Sequence, residues 1–305
     1  MTKPENQSIT SGQKKRYLRV VKETAERALR DANLSKDGMD KLLSSRDEFR
    51  AKIRPPLLAR ITECSLSDLY SDEEIDPASV YLREYPSGFR VKGVAEQMSI
   101  LREFFPDIGN ADETLAERPL PILAEGYGVI PRWERIASTY GEAVEIAFKM
   151  IESRMRASKQ ECINFEARTL GAEFLRQSER TVIMFQQLVN QQKDHEVLIV
   201  PIQFGFLHRG KSVRRARMVF NANEFGLGAF ATGILILTHP ERLNNQGDLS
   251  VICAGDESAP TSDGDFCCAP RWEIRGAPHG LLALNADGIA FPDAYAGSAT
   301  AFLSE

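Results

Sequence analysis

The stretch Glu196–Leu207, EVLIVPIQFGFL, sets the strongest constraint on how this chain folds. It is dense in β-branched and aromatic residues, which suit a pleated strand. Pro201 stands in its middle and has no amide hydrogen to give to a ladder. The proline must therefore fall at a sheet edge, at a bulge, or at a break between two shorter strands. Upstream the hydrophobic periodicity is helical, and downstream it is mostly strand-like. Two or more helices thus precede the first convincing strand, and the expected class is α+β: a helical N-terminal half followed by a mostly antiparallel or mixed β-sheet C-terminal region. Any division falls near residue 195, with 13–194 mainly helical and 195–305 a mixed sheet region; one continuous domain is the alternative.

Residues Met1–Gly12 are polar and are expected to form a disordered leader. From Gln13, Leu18, Val21, Ala25, Ala28, Leu29 and Ala32 share one helical face, while Arg19–Glu23, Lys22–Glu26, Glu23–Arg27 and Glu26–Arg30 are opposite charges four apart. The basic amino end therefore reads as a solvated face whose acids neutralise its bases. A second helix is expected from Ser35 to about Ile53, stopped by Pro55–Pro56, with Asn33–Leu34 as the turn of a hairpin. Further helices are expected at Val94–Phe105, Gly141–Met155 and Ala172–Gln191. Residues 106–139, with Pro119-Leu120-Pro121 and Gly126-Tyr127-Gly128, read as a long irregular segment. The apolar run Ala229–Leu237 suits a buried element. Strands are expected at Leu249–Cys253, Trp272–Arg275, Leu281–Asn285 and Ile289–Phe291, with a turn at Asn285-Ala286-Asp287-Gly288 between the last two.

A chain of 305 residues with 43% hydrophobic and 27% charged residues is expected to build a packed core. Its formal net charge of -5 provides no global attraction to polyanions, so extended nucleic-acid binding is not expected and any anion site must be local. The five cysteines lack the paired spacing of a disulfide framework or zinc ribbon, and reduced thiols are expected. With no signal-peptide pattern and no apolar run near the ~20 residues of a membrane span, the expectation is a cytoplasmic protein without a membrane partner.

The densest basic run, His208–Arg217, lies between the strand-like stretch and a glycine-punctuated apolar one. Ser212 is a natural N-cap for a short helix. Arg214, Arg217 and Asn221 then share one face, and Arg209, Gly210 and Lys211 stand at the helix entrance. Guanidinium groups form forked bonds to phosphate or carboxylate, and free amides at a helix start favour the same anions. Gly205 to Ser212 formally matches the phosphate-loop spacing G-x-x-x-x-G-K-S. Bulky Phe206 and Leu207, Pro201 in the strand, and the lack of alternating βα units make that spacing accidental. The plain rival is that the arginines pair with acids of the carboxyl-terminal region.

A second candidate, Asn221, Asn223 and Glu224 with the following glycines, reads as a helix end leading into a buried element. The third, Asp256 and Glu257 at a strand end, supplies oxygen ligands of the kind that hold Mg²⁺ or Ca²⁺. The histidines and the clustered Cys253, Cys267 and Cys268 lack ligand spacing and read as structural. The leading expectation is a protein that binds an anionic, phosphate-bearing small molecule or a protein partner through Arg209, Lys211, Ser212, Arg214, Arg217 and Asn221. The alternatives are a metal-dependent hydrolase or phosphoryl-transfer enzyme using the Asp256/Glu257 loop, and a structural or assembly protein.

Overall fold

The computed structural model describes residues 11–32, 34–45, 49, 52–54, 56–58, 69–158, 160–276 and 280–303. Contacts divide the chain into two units, Met1–Ser65 and Leu66–Glu305. In the first, helix α1 (Ser11–Asp31) is joined to α2 (Lys36–Ser44). The expected leader lies outside the described residues up to position 10, and Ser11 and Gly12 already belong to α1. Ser35 caps α2, its Oγ accepting the Gly38 amide at 3.1 Å. The i,i+4 pairs Arg19–Glu23 and Lys22–Glu26 form on the solvated side of α1, where such pairs contribute about 0.3–0.5 kcal/mol each. Apolar residues of α1 (Val21, Ala25, Ala28) and of α2 (Met39, Leu42) line an open groove of about 990 Å³. Residues 52–54 and 56–58 are also helical.

The second unit is α+β. Its helices are α3 (Val94–Phe104), α4 (Tyr140–Ala157), α5 (Glu179–Gln191), α6 (Val213–Val219) and α7 (Ala229–Thr238). Its strands are β1 (Gly126–Pro131), β2 (Glu161–Asn164), β3 (Leu175–Gln177), β4 (Val197–Gln203), β5 (Glu224–Gly226), β6 (Ser250–Ile252), β7 (Asp256–Ser258), β8 (Cys268–Arg275), β9 (Leu281–Gly288), β10 (Ala296–Ser298) and β11 (Thr300–Phe302). One sheet is antiparallel, in the order β1-β4-β11-β5. The other is mixed: β10-β6-β8-β7-β3 form a path, β9 pairs with β8, and the pairs β10–β6 and β2–β9 are parallel.

Pro201 lies inside β4, opposite Tyr127 of β1. On the other side the pairing of β4 with β11 stops at Ile202, one residue short of the proline. An interior strand thus tolerates the missing donor because the ladder ends where the donor would be needed.

Helix α7 carries the core. All ten of its residues are buried, and it packs against α3, α4, β1 and β8. Burying a side chain such as Phe230, Ile234 or Leu235 stabilises the fold by about 1.5–3 kcal/mol each. Strand β1 falls in the segment expected to be irregular. Its glycines serve close approach rather than a turn: a Cβ on Gly128 would come within 2.8 Å of Leu235 and 2.9 Å of Ile202. Helix α4 is held by a capping box between Thr139 and Glu142, and Phe148 on its inner face stacks on Trp272 at 5.9 Å.

Two expected boundaries move. The helix foreseen from Ala172 starts only at Glu179, because Leu175–Gln177 pairs with β7 and Ser178 supplies the N-cap. Strand β9 runs straight through the foreseen turn at 285–288, and the strand foreseen at Ile289–Phe291 does not form, residues 289 and 290 lying in a turn instead. The register with β8 continues from Arg275↔Leu281 to Cys268↔Gly288, and Asp287 accepts a bond from Arg271 at 2.9 Å instead of folding a turn.

Candidate functional site

Helix α6 forms as its residues dictate. The Ser212 Oγ accepts the Arg215 amide at 3.0 Å, and Val213 and Ala216 are buried beneath it. The basic side chains around it find their partners inside the protein. Ser212 donates its hydroxyl to Glu73 at 2.7 Å, Arg214 Nε lies 2.7 Å from both oxygens of the same carboxylate, and Arg214 Nη2 also donates to it. The Arg214 guanidinium lies over the Tyr70 ring at 4.3 Å. Lys211 and Arg215 both reach Glu74, at 2.8 and 3.1 Å. Arg217 donates to the carbonyls of Ala254 at 2.9 Å and Asp256 at 2.7 Å, with Glu257 3.5 Å away. Asn221 lies beyond the end of α6, and its side-chain amide donates to Glu224 at 3.1 Å. Burial alone would raise the Glu73 carboxyl, but the bonds from Arg214 and Ser212 prevail and hold it below its usual range.

The loop from Gly205 to Ser212 presents no amide nest. The Gly205 and Leu207 amides donate to Gln203 Oε1, that of Phe206 to the Tyr85 hydroxyl, and that of His208 to Gly205. The Gly210 amide donates to Ala296 and that of Ser212 to Glu73. A phosphate loop needs such groups free to face its ligand.

Asp256 and Glu257 point to different tasks. The Asp256 carboxylate is fully buried at the start of α7, where it accepts the Ala229 amide at 2.6 Å and the Tyr140 hydroxyl at 2.8 and 2.9 Å. Burial pushes its pKa up to about 7, against the lowering effect of those two bonds. A Cβ on Gly228 would lie 2.2 Å from Asp256 Oδ1 and 2.3 Å from the Tyr140 hydroxyl, so glycine leaves the room this cap requires. Glu257 instead pairs with Arg176 at 2.8 Å. Among the described residues no three His, Cys, Asp or Glu side chains converge as a metal-binding group.

Two of the histidines, His208 and His239, are tied into the packing. His208 pairs with buried Glu224 at 2.7 Å, and Thr300 donates to the same carboxylate at 2.7 Å. His239 accepts the Lys92 amide at 2.9 Å, and burial brings its pKa down to about 4. Cys162, Cys253, Cys267 and Cys268 are free thiols. Cys64 and His279 lie outside the described residues.

A different part of the second unit forms an open, ligand-sized space. Tyr85-Pro86-Ser87-Gly88 closes a turn, with the Gly88 amide donating to the Tyr85 carbonyl at 2.9 Å. The turn brings Arg83 and Arg90 to the lining of one recess of about 350 Å³, together with Tyr85, Phe89, Glu125 and Phe206. The Tyr85 ring stands edge-on to Phe89 at 5.4 Å and tilted to Phe206 at 5.1 Å. Buried Arg242 holds Tyr85 from behind, 4.3 Å from the ring, and donates to the Phe204 and Leu249 carbonyls. Glu125, one residue before β1, accepts the Tyr85 hydroxyl at 2.9 Å and the Phe204 amide at 3.1 Å. Among the described residues, neither Arg83 nor Arg90 has a hydrogen-bond or ion-pair partner. Of the basic segment only Arg209 adjoins this recess: it donates to the Phe206 carbonyl at 2.6 Å and lies 4.1 Å over the Phe206 ring.

Sequence reasoning missed this recess. The signal lies in the stretch REYPSGFR, Arg83–Arg90, where a Pro-Ser-Gly turn is flanked by two aromatic residues and then by two arginines. No protein-family model matches the chain, and no curated protein or solved structure matches it either. No helix of the described residues is long and apolar enough to cross a membrane.

Proposed function

We propose that the protein binds a small anionic ligand in the recess beside the 85–88 turn, with Arg83 and Arg90 receiving its charge. One contrast carries this reading. These two guanidinium groups line an aromatic-walled space without protein partners, whereas Lys211, Arg214 and Arg217 are committed to Glu73, Glu74 and backbone carbonyls. Forked guanidinium bonds suit phosphate and carboxylate, and a recess of this size lies at the small end of ligand pockets, which span about 300–1,000 Å³. The aromatic walls supply apolar contact to the rest of a small molecule. Arg209 supports the wall through Phe206.

The test is thermal stability with added inorganic phosphate or butyrate. A ligand at about a hundredfold excess over its Kd stabilises the native state by about 2.7 kcal/mol, a readily measured rise in Tm. The rise is expected in the intact protein and in Arg214→Ala, and is expected to vanish in Arg83→Ala/Arg90→Ala. No rise in the intact protein would overturn the proposal. A rise that persists in the double variant, or that disappears in Arg214→Ala, would move the anion to another site.

A further inference from the structure

The rim of the recess is basic, but its inner wall is acidic. Each oxygen of Glu125 accepts one bond, from the Tyr85 hydroxyl or the Phe204 amide, and a carboxylate has about four acceptor positions in all. Acceptor capacity therefore remains on both oxygens. No ion pair joins Glu125 to a protein cation among the described residues. Arg242 is the guanidinium beside it, but it stacks on Tyr85 and donates to the carbonyls of Phe204 and Leu249. Arg209 lies against Phe206, and Glu84, the other charged lining residue, adds a second negative group.

A pure anion entering this space gains the two rim arginines but meets the like charge of Glu125. A ligand that also carries an ammonium group removes that conflict, because its cation can lie against the carboxylate. The rings of Tyr85, Phe89 and Phe206 line the same space, and aromatic faces attract ammonium groups. From this arrangement we infer that the ligand is a compact zwitterion, its ammonium held by Glu125 and the aromatic rings and its carboxylate or phosphate held by Arg83 and Arg90. The inference rests on the anion-binding reading above and adds the cation.

Burial raises the Glu125 carboxyl above its usual range, although the bonds from Tyr85 and Phe204 and the charge of Arg242 oppose this. A bound ammonium favours the ionised carboxylate. Affinity for a zwitterion should therefore grow as pH rises through the Glu125 titration, while affinity for an anion of the same length should fall or stay level.

Calorimetric titration of the full chain can compare γ-aminobutyrate with butyrate, and phosphoethanolamine with inorganic phosphate, with the first pair repeated between about pH 5 and pH 8. Each zwitterion is expected to bind roughly tenfold or more tightly than its matched anion, a gap that closes in Glu125→Gln while anion binding survives. Equal or tighter binding of the matched anions, or a zwitterion preference that persists in Glu125→Gln, would overturn the inference and leave the anion-binding proposal standing. Failure of all four compounds to bind would overturn both. Should Glu125→Gln not fold, the intact protein decides the question: γ-aminobutyrate is expected to gain affinity relative to butyrate as pH rises, and no such gain would overturn the inference.

Discussion

Two arginine-bearing segments of the same unit put identical chemistry to different use. Around α6, Arg214 meets Glu73, Lys211 and Arg215 meet Glu74, and Arg217 satisfies two backbone carbonyls. At the 85–88 turn, Arg83 and Arg90 flank an open recess and meet no partner among the described residues. The denser cluster is thus committed to the fold and the sparser one is available. Charge density along a chain does not by itself locate an anion site; the position of the acids in space decides which cations remain free.

That contrast breaks most readily at the buried end of the committed segment. Asp256 gives its carbonyl to Arg217 and its carboxylate to the start of α7, and its pKa of about 7 exceeds the roughly 3.9 of an unfolded aspartate. Below about pH 4 both states hold the proton and the full stability is present. Between about pH 4 and pH 7 the unfolded chain releases that proton while the native protein retains it, so stability falls as pH rises, by on the order of 4 kcal/mol from this group. Urea denaturation across that range should show the slope, and Asp256→Asn should remove it while keeping the cap. A flat profile in the intact protein would mean that the carboxylate is far better solvated than its burial indicates.

Arg217→Met should cost about 2–3 kcal/mol, since it leaves the Ala254 and Asp256 carbonyls without their donor. Glu73→Ala should cost somewhat less, about 1–2 kcal/mol, because Arg214 is partly exposed and can turn to water once its partner is gone. Both losses would appear as lower denaturation midpoints with an unchanged anion response. If either variant were as stable as the intact protein, the α6 cations would not be committed to the fold.

The sequence carried local features well and long-range ones poorly. Ser212 as a cap, the helix of α4 and the strand around Pro201 follow from side-chain chemistry within a few residues. Acids from the carboxyl-terminal region were expected to meet the arginines, and Glu257 does approach Arg217. The main partner of Arg214, however, lies 141 positions upstream, a distance no local pattern reports. Strand β1 was hidden because Gly126 and Gly128 signal a turn when read alone, whereas their lack of a side chain here admits Val91 at Gly126 and Leu235 and Ile202 at Gly128. Likewise Asn285–Gly288 has turn composition but extended structure, because the long register with β8 outweighs local preference. The recess was least legible: its parts come from the 83–91 segment, from Glu125 and from Phe206, and only the first has a recognisable pattern.

The smallest effect on stability is expected where the proposed function lies. Arg83 and Arg90 are exposed and make no bond whose loss would leave a buried group unsatisfied, so Arg83→Ala and Arg90→Ala should each change stability by no more than about 0.5 kcal/mol. Their ligand response should nevertheless vanish together. Arg83→Lys with Arg90→Lys sharpens the point, because lysine keeps the positive charge but lacks the planar fork. If net charge alone draws the ligand, the lysine pair will respond as the intact protein does. If forked hydrogen bonding holds it, the response will shrink without a matching change in the denaturation midpoint. Either result separates availability from mere charge, the property in which the two arginine segments differ.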